Sequence, residues 1–296
     1  MKQETSSTVQ KDRSVSQDRY ISPDDRAAFR KVVITHYRKH GRDLPWRQTD
    51  DPYKILVSEL MLQQTQVGRV IEKFTPFIER FADFAALAAA PLIEVLSHWK
   101  GLGYNRRALY LKETARVVVE RHGGRLPQST DELVKLPGIG KNTAGAIVAF
   151  AFNGPAVFIE TNIRSVFIHH FFPDRVEIPD IEILPLVEAT LDRKNPRRWY
   201  GALMDYGSTL KERIENPGRR STRYAKQSPF IGSDRQIRGA ILGLLVSPSR
   251  RRAFDGMTVP EITAFLPMEP ERVEDNLSRL IEEGFIIRQR GRCRIA

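Results

Sequence analysis

Cysteine is almost missing from this chain: Cys293 is its only one. A single thiol excludes an internal disulfide, an iron–sulfur cluster and any multi-cysteine zinc site. Long apolar runs are missing too. None reaches the roughly 18 residues that a membrane-spanning helix needs, and the polar N-terminus has no stretch that reads as a signal peptide. The sequence therefore predicts an intracellular protein, cytoplasmic or associated with the nucleoid, with no membrane partner. Acidic residues are outnumbered, 36 Asp and Glu against 47 Lys and Arg, and the resulting net charge of +11 favours a polyanionic partner. The rest of the composition, 41% hydrophobic and 28% charged over 296 residues, suits a globular protein of one large or two moderate domains.

Residues 1–21 are rich in Ser, Gln, Lys and Asp and read as a disordered tail. Ser22-Pro23-Asp24-Asp25 then has the chemistry of a helix start, and from there apolar residues recur at helical spacing near 25–39, 52–65, 67–80, 91–98, 104–121, 130–135, 141–152, 161–171, 180–193 and 196–212. The expectation is a mainly α domain over 22–228. The basic stretch Arg219 to Lys226 reads either as a connection lying near phosphate or as a solvated linker. Over 229–296, three helices (235–246, 258–265, 269–283) and two short strands around a Gly turn predict a small winged-helix-like module, which binds DNA, binds a protein or packs on the main domain.

Several residues stand out for their chemistry. Gly138 and Gly140 in Leu136-Pro-Gly-Ile-Gly140 can let backbone N–H groups approach an anion, and Lys141 opens a helix whose positive end faces the same place. Glu160 follows closely enough for an acid to act near that phosphate. Glu59 sits in Ile55–Thr65, a helix apolar nearly all round, where a carboxyl is either desolvated and able to hold a proton or structural, bonded to Trp46 or to a backbone amide. Gln63, Gln64 and Thr65 continue that helix as amides and a hydroxyl able to enter a base stack or lie on the surface. Asn162 either caps the following helix or orients Glu160. Arg106 and Arg107 read as phosphate ligands or exposed helix arginines, and His169 and His170, lacking a metal-ligand spacing, as core or surface residues.

Leu44-Pro-Trp-Arg47, Asp51-Pro-Tyr53, Val57-Ser-Glu-Leu-Met-Leu-Gln-Gln-Thr65, Gly101-Leu-Gly-Tyr104, Leu136–Gly140 and Ala202-Leu-Met-Asp-Tyr-Gly207 resemble, in order over 25–212, the MutY-type adenine DNA glycosylases of the helix-hairpin-helix superfamily. The resemblance implies a two-lobed helix-hairpin-helix domain with its hairpin about 130–150, working as a monomer in base excision repair on double-stranded DNA carrying a mismatch or lesion. It assigns Glu59 to protonating a flipped-out adenine and Glu160 to facing the cationic sugar. It makes Gln64 and Tyr104 probes of the stack around the opposed base, and the hairpin with Gly138, Gly140 and Lys141 a phosphate clamp.

The sequence departs from the family at four places. Glu160 stands where Asp is usual. Asn142 stands where the adenine branch has Tyr and endonuclease III a Schiff-base Lys, and since Asn forms no imine, a monofunctional enzyme is expected. Lys211 stands at the first of four cluster cysteines, none of which follows, so no iron–sulfur cluster and no other cofactor is expected; the basic 211–226 stretch is expected to contact DNA instead. The usual C-terminal reader of 8-oxoguanine is replaced by the winged segment. The rivals to mispaired-adenine excision are thymine or uracil mismatch excision on the same scaffold and a catalytically inactive DNA-binding protein.

Overall fold

The computed structural model of the protein describes residues 21–247 and 256–296; the tail expected over 1–21 lies, apart from Ile21, outside the described residues. Helix α1 (Pro23–His40) starts as the sequence predicts. The Ser22 hydroxyl accepts the Asp25 N–H at 3.1 Å, Pro23 occupies the first turn, and Arg38, Lys39 and His40 complement the negative end of the helix dipole. After a 3₁₀ turn at Pro45–Arg47 come α2 (Pro52–Leu62), α3 (Val67–Arg80), α4 (Phe84–Ala89), α5 (Leu92–Trp99) and α6 (Arg106–His122). The short α7 (Thr130–Leu133) precedes α8 (Lys141–Phe152), α9 (Thr161–Phe171), α10 (Asp180–Thr190) and α11 (Pro196–Arg213). The C-terminal elements are α12 (Asp234–Val246), β1 (Met257–Thr258), α13 (Val259–Phe265), α14 (Pro270–Glu282), β2 (Ile286–Gln289) and β3 (Arg292–Ile295).

The chain divides into two compact units. The first holds the residues up to Asp43, Gln128–Thr130 and Gly140–Lys226. Its centre is aromatic: the Phe29 ring lies 5.2 Å from Phe167, 5.0 Å from Phe171 and 6.0 Å from Trp199, and the Tyr200 ring lies 4.1 Å from Phe158 at a tilt of 34°. Arg30 donates to the carbonyls of Thr190 (2.8 Å) and Leu191 (2.5 Å), supplying the terminal acceptors of α10 with donors they would otherwise lack.

The second unit holds Leu44–Pro127, Asp131–Ile139 and Gln227–Ala296. Leu56, Leu60, Met61, Phe77, Phe81, Leu87 and Trp99 are fully buried there. In its C-terminal part α12 packs on α5 and α14, and the strands form an antiparallel sheet in the order β1-β3-β2, with Ile286 opposite Ile295 and Arg288 opposite Cys293. Helix, strand, two helices and a hairpin make the winged-helix order. The strand β1, which the sequence does not reveal, is two residues long and pairs Met257 with Cys293. Helix α4 is likewise illegible in advance: a six-residue, alanine-rich segment held by two buried residues, Phe84 and Leu87, offers no periodicity to read. Among the described residues no helix is long and apolar enough to cross a membrane.

Candidate active site

Helix α2 is fixed at both ends, and that fixes Glu59. At its start Asp51 accepts the Tyr53 N–H at 2.9 Å, Pro52 takes the first helical position, and the Tyr53 hydroxyl donates to the Phe81 carbonyl at 2.6 Å. Leu56, Val57, Ser58, Leu60 and Met61 are buried, so Glu59, half-buried, emerges from an otherwise apolar helix. At its end the helix stops at Leu62, three residues short of the expected boundary, because the buried Arg107 gathers its last carbonyls. Arg107 Nη1 donates to Leu60 and Met61, each at 2.8 Å, and to Gln63.

The same guanidinium ties down the turn at Gly101–Tyr104. It donates to the carbonyls of Leu102 (3.2 Å), Gly103 (2.9 Å) and Tyr104 (3.3 Å) and to the Thr65 hydroxyl (2.9 Å). Burial lowers its pKa to about 10, which leaves it charged at neutral pH. Arg107 is therefore a scaffold residue and not a phosphate ligand, and Thr65 is spent on the same network. Arg106 is exposed but paired with Glu283. Gln63, Gln64 and Thr65 lie beyond the helix, and Gln64 is exposed with φ at +52°, a left-handed conformation unusual for a residue with a side chain. Tyr104 shares that geometry at φ +47°. Its hydroxyl accepts from Arg235 Nη1 at 2.7 Å and from the Gln227 amide, and its ring centre lies 5.3 Å from the guanidinium of Arg235 and 5.6 Å from that of Arg107. Gln64, Arg69, Tyr104, Phe230 and Arg235 line a cavity of about 620 Å³.

The glycine hairpin is built as its residues require. Gly138 has φ +73°, and a Cβ there would lie 2.7 Å from Cβ of Tyr110, so both the conformation and the space demand glycine. Thr114 donates to the Pro137 carbonyl at 2.8 Å and holds the turn. Gly140 is extended, caps α8 through its carbonyl and faces open space where a side chain would stand. Lys141 and Asn142 are exposed in the first turn of α8, at the positive end of its dipole. The Asn142 side chain accepts the Ile159 N–H at 3.3 Å, joining that turn to the chain entering Glu160.

Glu160 is itself the N-cap of α9. Its Oε1 accepts the Ile163 N–H at 2.7 Å, and its Oε2 accepts from Asn162 Nδ2 at 3.0 Å and the Thr161 hydroxyl at 3.2 Å. Asn162 thus orients Glu160 and does not cap the helix. Behind it, Lys211 Nζ donates to Asn162 Oδ1 at 2.8 Å. Burial pushes the Lys211 pKa down, the Glu160 charge pulls it back up and Arg164 lowers it further. Gly207 packs so closely that a Cβ would meet the Asn162 carbonyl at 2.5 Å.

Part of the basic 211–226 stretch is engaged within the protein. Lys211 holds Asn162, Arg220 donates to the carbonyls of Ile168, Phe172, Pro173 and Arg175, and Arg219 pairs with Glu215 at 2.9 Å. Arg213, Arg223 and Lys226 of the same stretch are exposed. Asp205, in the Ala202–Gly207 motif, is buried and bound to Arg42 through both carboxylate oxygens, at 2.6 and 2.9 Å. His170 belongs to the core, its Nε2 3.0 Å from the Tyr206 hydroxyl and its ring against Phe29. Arg107 and Lys211 are the two contributors that sequence reading misses. Their only advance signal is a cation inside a family motif or at a family ligand position.

Residues 57–191 match the HhH-GPD superfamily of base excision DNA repair proteins. The adenine DNA glycosylase of Mycolicibacterium smegmatis is 34% identical over 272 residues, covering 86% of this chain and 91% of that protein. The chain belongs to this superfamily, in its adenine DNA glycosylase branch. The adenine DNA glycosylase of Buchnera aphidicola subsp. Baizongia pistaciae is 37% identical over 187 residues, and there the chain spans 52% of the relative's length. A thymine/uracil-DNA glycosylase of Methanothermobacter thermautotrophicus is 35% identical over 147 residues, 49% of this chain and 66% of that protein. Among solved structures, a thermostable thymine-DNA glycosylase superposes with a TM-score of 0.58 at 28% identity, over 66% of this chain and 91% of that one.

Proposed function

We propose that this protein is a monofunctional DNA glycosylase that removes mispaired adenine from duplex DNA, the activity named for its mycobacterial relative. With the adenine flipped out of the stack, Glu59 gives its proton to N7 of the base, the C1′–N9 bond breaks with its electron pair passing to adenine, and the sugar is left with oxocarbenium character. Glu160 faces that charge, water adds at C1′ and loses a proton, and an abasic site remains.

The observation that carries this reading is the environment of Glu160. Each hydrogen bond on its carboxyl is donated to it, by Ile163, Asn162 and Thr161, with Lys211 behind Asn162. Such surroundings use the group as an acceptor, the form in which it opposes positive charge. Asn142 at the Schiff-base position supports a hydrolase without lyase activity. Gly138, Gly140 and Lys141 serve as the phosphate clamp, and Gln64 and Tyr104 as probes of the opposed base.

The enzyme works without an iron–sulfur cluster. The residues do not fit one: the sole cysteine, Cys293, is buried in β3, and Lys211, at the position of the first cluster cysteine, is bonded to Asn162. A second reading, excision of thymine or uracil from mismatches, is favoured by the Methanothermobacter thermautotrophicus relative. It leaves Glu59 without a purine N7 to protonate. Incubation with duplexes carrying A opposite G, A opposite 8-oxoguanine, T opposite G and U opposite G, followed by alkali, separates the readings. Alkali-dependent breaks at adenine are expected. Breaks confined to T or U would replace adenine as the substrate, and breaks without alkali would refute the monofunctional assignment.

A further inference from the structure

The C-terminal winged module separates its charges in a way that decides which part of it meets DNA. In many DNA-binding helix-turn-helix modules the second helix of the pair enters the major groove. Here the corresponding α14 is acidic on its exposed face, with Glu271, Glu274, Asp275 and Glu282 all exposed. Its two arginines are neutralised at the surface by α12: Arg272 and Arg279 both pair with the exposed Asp234, at 2.8 and 3.5 Å. A helix so charged is repelled by phosphate.

The hairpin has the opposite character. From Gly284 to Ala296 the side chains include Arg288, Arg290, Arg292 and Arg294 and no Asp or Glu. Arg292 is held at the base of the sheet by the Gly256 carbonyl (2.9 Å) and Glu261 (3.6 Å). Arg288, Arg290 and Arg294 are exposed. Strand pairing sets Arg288 opposite Cys293 and Arg294 opposite Ile287, so these two arginines project from opposite faces of the ribbon, and Arg290 stands at the tip with φ +49° beside Gly291 at +77°. The ribbon is fixed, because Ile286, Cys293 and Ile295, on the face that also carries the exposed Arg288, are buried together with Phe285. A ribbon with exposed guanidiniums at Arg288, at its tip and on its outer face can meet phosphates by charge-assisted hydrogen bonds.

We infer that the β2–β3 wing is a DNA-phosphate contact site, distinct from the glycine hairpin, and that α14 stays off the DNA. The inference rests on DNA being the partner, as the proposed function has it, but not on which base is removed. Phosphate contacts carry no sequence information and release counterions, so the wing contributes affinity that is independent of the mismatch and sensitive to salt.

The test is the affinity of the full chain for matched and mismatched duplexes over a series of salt concentrations, by fluorescence anisotropy. Arg288→Ala/Arg290→Ala/Arg294→Ala should weaken both duplexes equally and reduce the slope of log K against log salt by about two to three. The corresponding triple lysine variant, which keeps the charge, should restore the slope. Glu274→Gln/Asp275→Asn should leave it unchanged. An unaltered slope in the alanine variant, with its thermal unfolding intact, would overturn the proposal and leave an acidic protein surface as the partner to seek. Because binding is read and not base release, this result is separable from a failure to excise adenine.

Discussion

Lys211 reaches Glu160 through one side chain: its ammonium donates to Asn162 Oδ1 at 2.8 Å, and Asn162 Nδ2 donates to Glu160 Oε2 at 3.0 Å. A lysine therefore stands at a cluster-cysteine position and orients the carboxylate assigned to the sugar. Replacing it with Lys211→Met removes the donor that fixes the Asn162 amide and withdraws a cation from around Glu160. Loss of a hydrogen bond to a charged group costs about 1.5–3 kcal/mol, or roughly a 10- to 100-fold fall in single-turnover adenine release.

Gly207 tests the same assembly from below. With the Asn162 carbonyl 2.5 Å from where a Cβ would stand, Gly207→Ala must push α11 away from the start of α9. Overpacking of this kind costs about 1–3 kcal/mol. Thermal unfolding should fall by several degrees, and adenine release should fall with it because Glu160 caps the displaced helix.

Arg107 joins the end of the Glu59 helix to the Gly101–Tyr104 turn through carbonyls of both. Arg107→Met strands those acceptors and should cost at least about 2 kcal/mol in denaturant unfolding. Arg107→Lys should rescue little, since one ammonium cannot reproduce a planar fork that reaches both segments.

Much of this was legible in advance and some was not, for physical reasons. The hairpin could be read because a glycine turn and a helix start are local: Gly138 needs its φ of +73° whatever surrounds it. Glu59 could be read because a charge among Leu56, Val57, Leu60 and Met61 contradicts the helix that carries it. Arg107 and Arg106 could not be told apart. They are neighbours in one helix turn, and only the distant carbonyls of α2 and the distant Glu283 give one to the core and the other to an ion pair. Lys211 shows the same limit, since its partner lies 49 residues away in the chain.

His170 gives a pH prediction. Burial, reinforced by His169, lowers its pKa from 6.5 to about 4. Its folded pKa lies below the unfolded one, so the unfolded chain binds the extra proton between those values. The stabilising contribution is present above about pH 6.5 and is lost as pH falls toward 4. Denaturant unfolding should weaken over that window, and His170→Gln should flatten the decline. Histidine NMR titration should show His170 still neutral at pH 5.

The most direct measurement concerns Glu59. A duplex with A opposite G is incubated in single turnover with the wild-type chain and with Glu59→Gln, free adenine is quantified, and binding to the same duplex is measured alongside. The wild type should release adenine, while Glu59→Gln should bind comparably and release it at least about 100-fold more slowly, since the proton donor is gone. Release at the wild-type rate by Glu59→Gln would contradict the assignment of Glu59 as the acid.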